Sequence, residues 1–222
     1  MNARTVMAER GAQRRFFDAW SYIYDFPWVQ RATYRPVHNA VLRAVRSTPC
    51  RRVLDLGCGT GQLALRIEET LPKARVVGCD FSAGMLHRAA ARRTHVRWVR
   101  GDAGRLPFQD GAFDAIVSTE AFHWFPDQDA ALAECFRVLV PGGQLLLAVV
   151  NTPATLVSEA MYVGSRLLGE PFYWPTTREL RQRVEAAGFA VNRQRRIFRV
   201  PGFLLLPVLT CAVRPESRPV RR

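Results

Sequence analysis

The sequence predicts an α/β fold: a mostly parallel sheet of seven strands, helices on both faces, an antiparallel hairpin closing one edge, and a helical cover at the N-terminus. Two observations carry this. Between residues 50 and 150 apolar strand-like runs alternate with amphipathic helical segments. Parallel neighbours need such crossover helices, which bury both faces of the sheet. The last two strand-like runs instead follow one another with only the Pro201-Gly202 pair as punctuation, which is a hairpin turn signal.

Taken in order, residues 9–46 read as helical and carry Phe16, Phe17, Trp20, Tyr22, Tyr24, Phe26 and Trp28. "RRVLDLG" is the first strand, and "GQLALRIEETL" a helix with Leu63, Ile67 and Leu71 on one face. "ARVVGCD" is the second strand, followed by the helix "SAGMLHRAAARR", which Ser82 caps. "VRWVRGD" and "AFDAIVST" are the third and fourth strands. "DQDAALAECFRVL" is a helix that Pro141-Gly142-Gly143 ends, and "QLLLAVV" is the fifth strand. An aromatic-rich segment then runs from Thr152 to Trp174. The helix "TTRELRQRVEAAGF" and the pair "VNRQRRIFRV" and "FLLLPVLTCAV" complete the order. The expected organisation is one domain over residues 1–213: a cover at 1–48, a ligand-binding core at 50–150, a substrate-covering insertion at 151–175, and a helix with the hairpin at 176–213. Residues 214–222 form a basic tail expected to be disordered.

Composition bounds the function. The chain of 222 residues has no apolar run long enough to span a bilayer, and its start lacks the apolar segment of a secretory signal, so a cytoplasmic location is expected. Five cysteines without a CxxC pair and four scattered histidines indicate neither a disulfide framework nor a metal site. The net charge of +13 is almost entirely arginine, since Lys73 is the one lysine among 32 basic residues. These arginines are spread along the chain rather than gathered into a stripe, which argues against nucleic acid as the partner. A solvated basic surface, contact with an anionic membrane or acidic partner, and RNA binding all stay open.

The chemistry concentrates at "VLDLGCGTGQ", where a strand stops in Gly57, Gly59 and Gly61. Three glycines at alternate positions suggest that something approaches the backbone closely. Gln62 stands where a dinucleotide fingerprint would have its third glycine, and no lysine of a phosphate loop follows. Asp55, Asp80 and Asp102 each lie at the end of a strand, and in a parallel α/β sheet those ends share one crevice. Aspartates also cap helices and start turns. As ligands, these three suit a nucleoside that carries positive charge rather than phosphates. Asp80 suits ribose hydroxyls, Asp102 an exocyclic amine, and Asp55 an ammonium, directly or through water. S-adenosylmethionine has those groups.

In order and spacing, "VLDLGCGTGQ", "VVGCDFSAGML", "GDAGRLPF", "FDAIVSTEAFHWF" and "RVLVPGGQLLL" resemble the motifs of class I S-adenosylmethionine-dependent methyltransferases. The small-molecule subgroup that includes the ubiquinone/menaquinone-biosynthesis C-methyltransferases is the most similar. The resemblance implies a Rossmann-like sheet, S-adenosylmethionine as cofactor and a small-molecule acceptor. It implies that Asp55, Gly57, Cys58 and Gly59 hold the methionine end, and that Phe81 and Met85 flank the adenine. Asp102 and the Ala103 backbone would read the adenine edge, while Thr119 and Glu120 line the methyl side. It also implies that the N-terminal helices and the segment after strand five cover the substrate. Tyr22, Tyr24, Met161, Tyr162, Phe172 and Trp174 thereby become candidates for an apolar acceptor pocket.

His123 and Glu120 are the candidate catalytic groups. His123 is either a general base or an imidazole packed between Phe122 and Trp124. Phe81 and Met85 serve equally well as core residues. The "NPPY" run that suits methylation of base or amide nitrogen is absent after strand four. The expected reaction is therefore methyl transfer to carbon or oxygen of an apolar or amphipathic molecule. An RNA methyltransferase and a non-catalytic binding protein are the alternatives.

Overall fold

A computed structural model describes residues 34–47, 49–167, 171–197 and 206–216. Seven strands form one sheet in the order β3-β2-β1-β4-β5-β7-β6. They are β1 (Arg52–Leu56), β2 (Arg75–Asp80), β3 (Arg97–Arg100), β4 (Phe113–Thr119), β5 (Leu139–Asn151), β6 (Ala190–Arg196) and β7 (Leu206–Val213). The first five are parallel, and β7 runs antiparallel to both β5 and β6. The chain steps outward from β1 to β3 and then returns to the other side of β1 as β4. That reversal opens a crevice at the carboxyl ends of β1 and β4.

Alternation along the strands divides the core into two layers. Val53, Leu146 and Ala148 pack on one face against α1 (Arg35–Arg46) and α2 (Gln62–Thr70). Leu54, Leu145 and Leu147 pack on the other against α4 (Gln128–Val138) and α6 (Thr177–Ala186). The helix α3 (Ala83–Ala90) is capped by Ser82, whose hydroxyl accepts the Met85 N–H. Of the expected N-terminal cover, α1 is therefore a flanking helix of the sheet, with Val37, Val41 and Val45 buried. Tyr22, Tyr24 and the other aromatics named for that cover, Phe16, Phe17, Trp20, Phe26 and Trp28, lie outside the described residues, as does the Pro201-Gly202 turn of the hairpin.

Two segments depart from the expectation. Pro141-Gly142-Gly143 lies within β5 rather than before it. The strand kinks there through Gly142 at φ +78°, and Arg214 holds the kink, its C=O accepting the Gly142 N–H and its N–H donating to Gly143 O. The aromatic-rich insertion contains a helix, α5 (Thr155–Leu167), which was not expected from the sequence. Among the described residues no helix is long and apolar enough to cross a membrane.

Candidate functional site

The glycine turn has a structural reason for each glycine, and only part of it concerns a ligand. All three have left-handed backbones, with φ of +71°, +54° and +81° at Gly57, Gly59 and Gly61. A Cβ on Gly57 would lie 2.4 Å from that of Ala121, and one on Gly61 would lie 2.3 Å from the Trp98 ring. For those two, the close approach expected from the sequence is made by the protein's own side chains, Ala121 and Trp98. Gly59 differs: its N–H donates to Asp80 Oδ2 at 2.8 Å, while Asp80 Oδ1 accepts from the Ser82 N–H at 2.9 Å. Asp80 thus ties the turn to the start of α3.

Above this turn lies a cavity of about 450 Å³, within the size range of small-molecule sites. Gly57, Gly59, Asp80, Phe81 and Met85 line it from β1, β2 and α3, and Asp102 and Ala103 from the end of β3. Asp102 is fixed by its own turn, with Oδ1 accepting the Gly104 N–H at 2.9 Å. Thr119, Glu120, His123 and Trp174 close the opposite side. Among the described residues no arginine or lysine lines the cavity, although the chain carries +13. The wall suits a cationic or neutral ligand and offers no counter-charge to phosphate.

Asp55, Cys58, Met161, Tyr162 and Phe172 do not line it. Asp55 is buried beneath the turn. Burial first, then the charge of Asp80, pushes its carboxyl up to about 7, against a partly offsetting bond from Ala64. Cys58 is buried as well, its thiol pushed up by burial and by Asp80. Tyr162 packs its ring against Tyr173 at 6.1 Å. Phe172 lies behind the wall, against Trp174 at 4.8 Å and Trp124 at 5.1 Å.

Glu120 has φ +52°, the one positive φ among described residues other than glycine, and strain of this kind clusters at functional positions. Its N–H donates to Ala148 O at 2.9 Å, which anchors it to the end of β5. Burial pushes its carboxyl up to about 8, and a backbone bond from Val150 offsets part of that rise. Tyr34, which sequence gave no reason to select, lines the same cavity. Burial and the Glu120 charge push its hydroxyl up to about 12.

His123 sits in a short 3-10 turn (Phe122–Trp124), and burial lowers it to about 3, so the imidazole is neutral at ordinary pH. Its neighbours are Trp124, Trp174 and Phe172, at centroid distances of 5.2, 5.5 and 6.5 Å. Phe122 instead packs on Phe125, so the expected sandwich between Phe122 and Trp124 is replaced by this aromatic cluster. Hydrogen bonds strap the strand of chain carrying Trp174 in place. The Tyr173 N–H donates to His123 O at 2.9 Å, Gln128 Nε2 to Tyr173 O at 2.9 Å, and Asn151 Nδ2 to Pro175 O at 2.8 Å. Trp124, Phe125 and Pro126 also line the cavity and were not anticipated, because only the fold brings that turn over the crevice. Among the described residues no cluster of three metal-ligating side chains exists.

Residues 53–143 match a family model described as a methyltransferase domain. The chain is 44% identical over 137 residues to the demethylmenaquinone methyltransferase of Thermus thermophilus, covering 60% of this chain and 58% of that one. It is 33% identical over 179 residues to the demethylmenaquinone methyltransferase of Mycolicibacterium gilvum, covering 72% of this chain and 77% of the relative. The chain spans between 51% and 58% of the length of the first three curated relatives it matches. Among solved structures, the 1,6-didemethyltoxoflavin-N1-methyltransferase of Burkholderia thailandensis, with its substrate and S-adenosylhomocysteine bound, superposes with a TM-score of 0.71. The superposition covers 93% of this chain and 88% of that one at 22% identity, a likeness of fold.

Proposed function

The chain belongs to the class I S-adenosylmethionine-dependent methyltransferases, and from that premise we propose that it transfers the sulfonium methyl of S-adenosylmethionine to carbon or oxygen of a small, apolar or amphipathic acceptor. The observation that carries this reading is the cavity at the carboxyl edge of the sheet. Two acidic strand ends and a bare glycine turn form one half of it. A buried carboxyl and an aromatic wall form the other.

When bound, S-adenosylmethionine supplies an electrophilic methyl on a positively charged sulfur. Asp80 takes the ribose hydroxyls, Asp102 and the Ala103 backbone meet the adenine edge, and Phe81 and Met85 flank the ring. Gly57, Gly59 and Thr119 face the methionine end, with Asp55 and Cys58 supporting the turn from behind. The sulfonium is already a good leaving group, so the protein chiefly aligns the acceptor and excludes water. Glu120 is the candidate base of the site: in its ionised form, which its value of about 8 makes the minor one at neutral pH, it takes a proton from an acceptor hydroxyl or activated carbon acid. His123, Trp124 and Trp174 form the apolar side of the acceptor site, and Phe172 backs that wall. Because the relatives are demethylmenaquinone methyltransferases, a demethylmenaquinone-like quinone is the proposed acceptor class. RNA methylation is not favoured, since the cavity is walled by aromatics and its described lining holds no arginine.

Calorimetry with S-adenosylhomocysteine tests the proposal. Wild-type protein is expected to bind it, and Asp80→Asn to bind about tenfold more weakly or worse, the loss of one charge-assisted bond. Absence of wild-type binding at millimolar ligand rejects the cofactor, and unchanged affinity in Asp80→Asn rejects the ribose assignment.

A further inference from the structure

The helix α5 is built inside out. At about 100° per residue, Leu156, Val163 and Leu167 fall on one stripe, and Ser158 and Ser165 fall on the opposite side. The two serines are the buried residues of this helix. Ser158 Oγ bonds Thr152 Oγ1, and Ser165 Oγ accepts the Phe172 N–H at 3.1 Å. The apolar stripe faces outward: Leu156 is 77% exposed, Val163 57% and Leu167 84%, with Val157 beside them at 37%. They are the large apolar side chains that the described part of the molecule leaves in water. A contiguous exposed apolar face of this kind marks an interaction surface.

Its position and surroundings choose the occupant. Thr152 and Ser165, which hold α5, also bond the Trp174 and Phe172 main chain beside the proposed acceptor site. The same corner of the molecule gathers arginines. Arg166 lies on α5 and Arg178 in the first turn of α6, whose Thr177 O accepts from Gln194 Nε2 of β6. Arg196 shares Gln194's face of that edge strand, while Arg193 and Arg195, paired with Cys211 and Leu209, project from its other face. Among the described residues none of these five is in an ion pair with a carboxylate. An outward apolar stripe fringed by unneutralised arginines is the surface that an anionic lipid interface complements, with leucines entering the acyl boundary and guanidinium groups meeting headgroup phosphates.

We propose that α5 and its arginine fringe dock the protein on an anionic membrane surface, with the acceptor site next to the lipid. This rests on the reading of the cavity as a site for an apolar acceptor, and it adds a route: the acceptor leaves the bilayer at α5 without crossing bulk water.

The test is co-sedimentation of full-length protein with vesicles of phosphatidylcholine alone and of phosphatidylcholine containing phosphatidylglycerol. The expected result is binding to the anionic vesicles only, weakened by added salt. The double variant Leu156→Glu, Leu167→Glu should reduce that partitioning at least tenfold, since two leucines would no longer enter the interface. It should leave the thermal midpoint and S-adenosylhomocysteine binding unchanged. Equal partitioning of variant and wild type overturns the proposal. So does a dimer in size-exclusion chromatography that the variant dissolves, which makes a second copy the occupant. A large fall in the variant's midpoint also overturns it, because the stripe would then have a partner within the chain. Loss of S-adenosylhomocysteine binding in wild-type protein would strike the cavity reading and leave the vesicle result standing.

Discussion

Glu120 combines a left-handed backbone, a buried carboxyl and a place in the cavity wall, and its titration has a readable consequence for stability. Its folded value near 8 lies above the usual 4.5, and Asp55 near 7 lies above the usual 3.8. For both, the folded state binds the proton more tightly than the unfolded chain, so stability falls as pH rises between the two values. His123 and His38 shift the other way, both to about 3 from the usual 6.5, chiefly by burial, with Arg66 and Arg35 adding to the shift at His38. Their contribution to stability rises with pH up to about 6.5 and then stops. The opposing slopes overlap in mildly acid solution, and above 6.5 only the carboxyls remain. The thermal midpoint of the wild type is therefore expected to decline between pH 6.5 and 8, and Glu120→Gln to flatten part of that decline. A variant with an undiminished slope would show that Glu120 is ionised in the fold at neutral pH. The strand-end acids of this site were legible in the sequence because their type and position are local signals. Tyr34 and the orientation of His123 were not, since both depend on which rings the fold brings near.

Elements explain why some glycines and some helices could be read and others could not. The β-α alternation from residue 50 to residue 150 was plain because each element carries its own period. The reason for Gly61 was hidden, because Trp98 on β3 is 37 positions away in sequence and arrives only through the sheet. Gly61→Ala is expected to destabilise by about 1–3 kcal/mol through its positive φ, with the clash against Trp98 added. Introduced into a Trp98→Leu background, the same change should cost less, because the clash is relieved while the φ strain stays. Equal costs in the two backgrounds would assign the whole penalty to the backbone. The helix α5 escaped sequence reading because its buried positions are Ser158 and Ser165, so its apolar pattern points away from the core. The neighbouring α6 shows the ordinary case. There Thr176 accepts the Glu179 N–H at 3.1 Å and Glu179 Oε2 accepts the Thr176 N–H at 2.8 Å, a complete capping box. Thr176→Ala should lower stability by about 1 kcal/mol in denaturant unfolding. It should also loosen Trp174, two residues upstream, which a change in its fluorescence maximum would report.

At the scale of the whole molecule, charge and site are separated. The chain carries +13, yet the described lining of the cavity includes Asp80, Asp102 and Glu120 and no arginine or lysine. The arginines therefore act on what the surface meets, and the acids on what the cavity holds. A ligand that binds only the folded state stabilises by about 2.7 kcal/mol at a hundredfold excess over its dissociation constant. For a domain of this length that corresponds to a rise in thermal midpoint of roughly 5–10 °C. S-adenosylhomocysteine at saturating concentration should produce a rise of that size. Because the ligand is screened from the surface arginines and meets short-range hydrogen bonds, the increment should hold between low salt and half-molar salt. An RNA-directed site would behave differently, since neutralising phosphates makes affinity fall steeply with salt. Melting the protein with ligand across a salt series separates the two. An increment that collapses with salt would place the arginine surface, rather than the acidic cavity, at the centre of ligand binding.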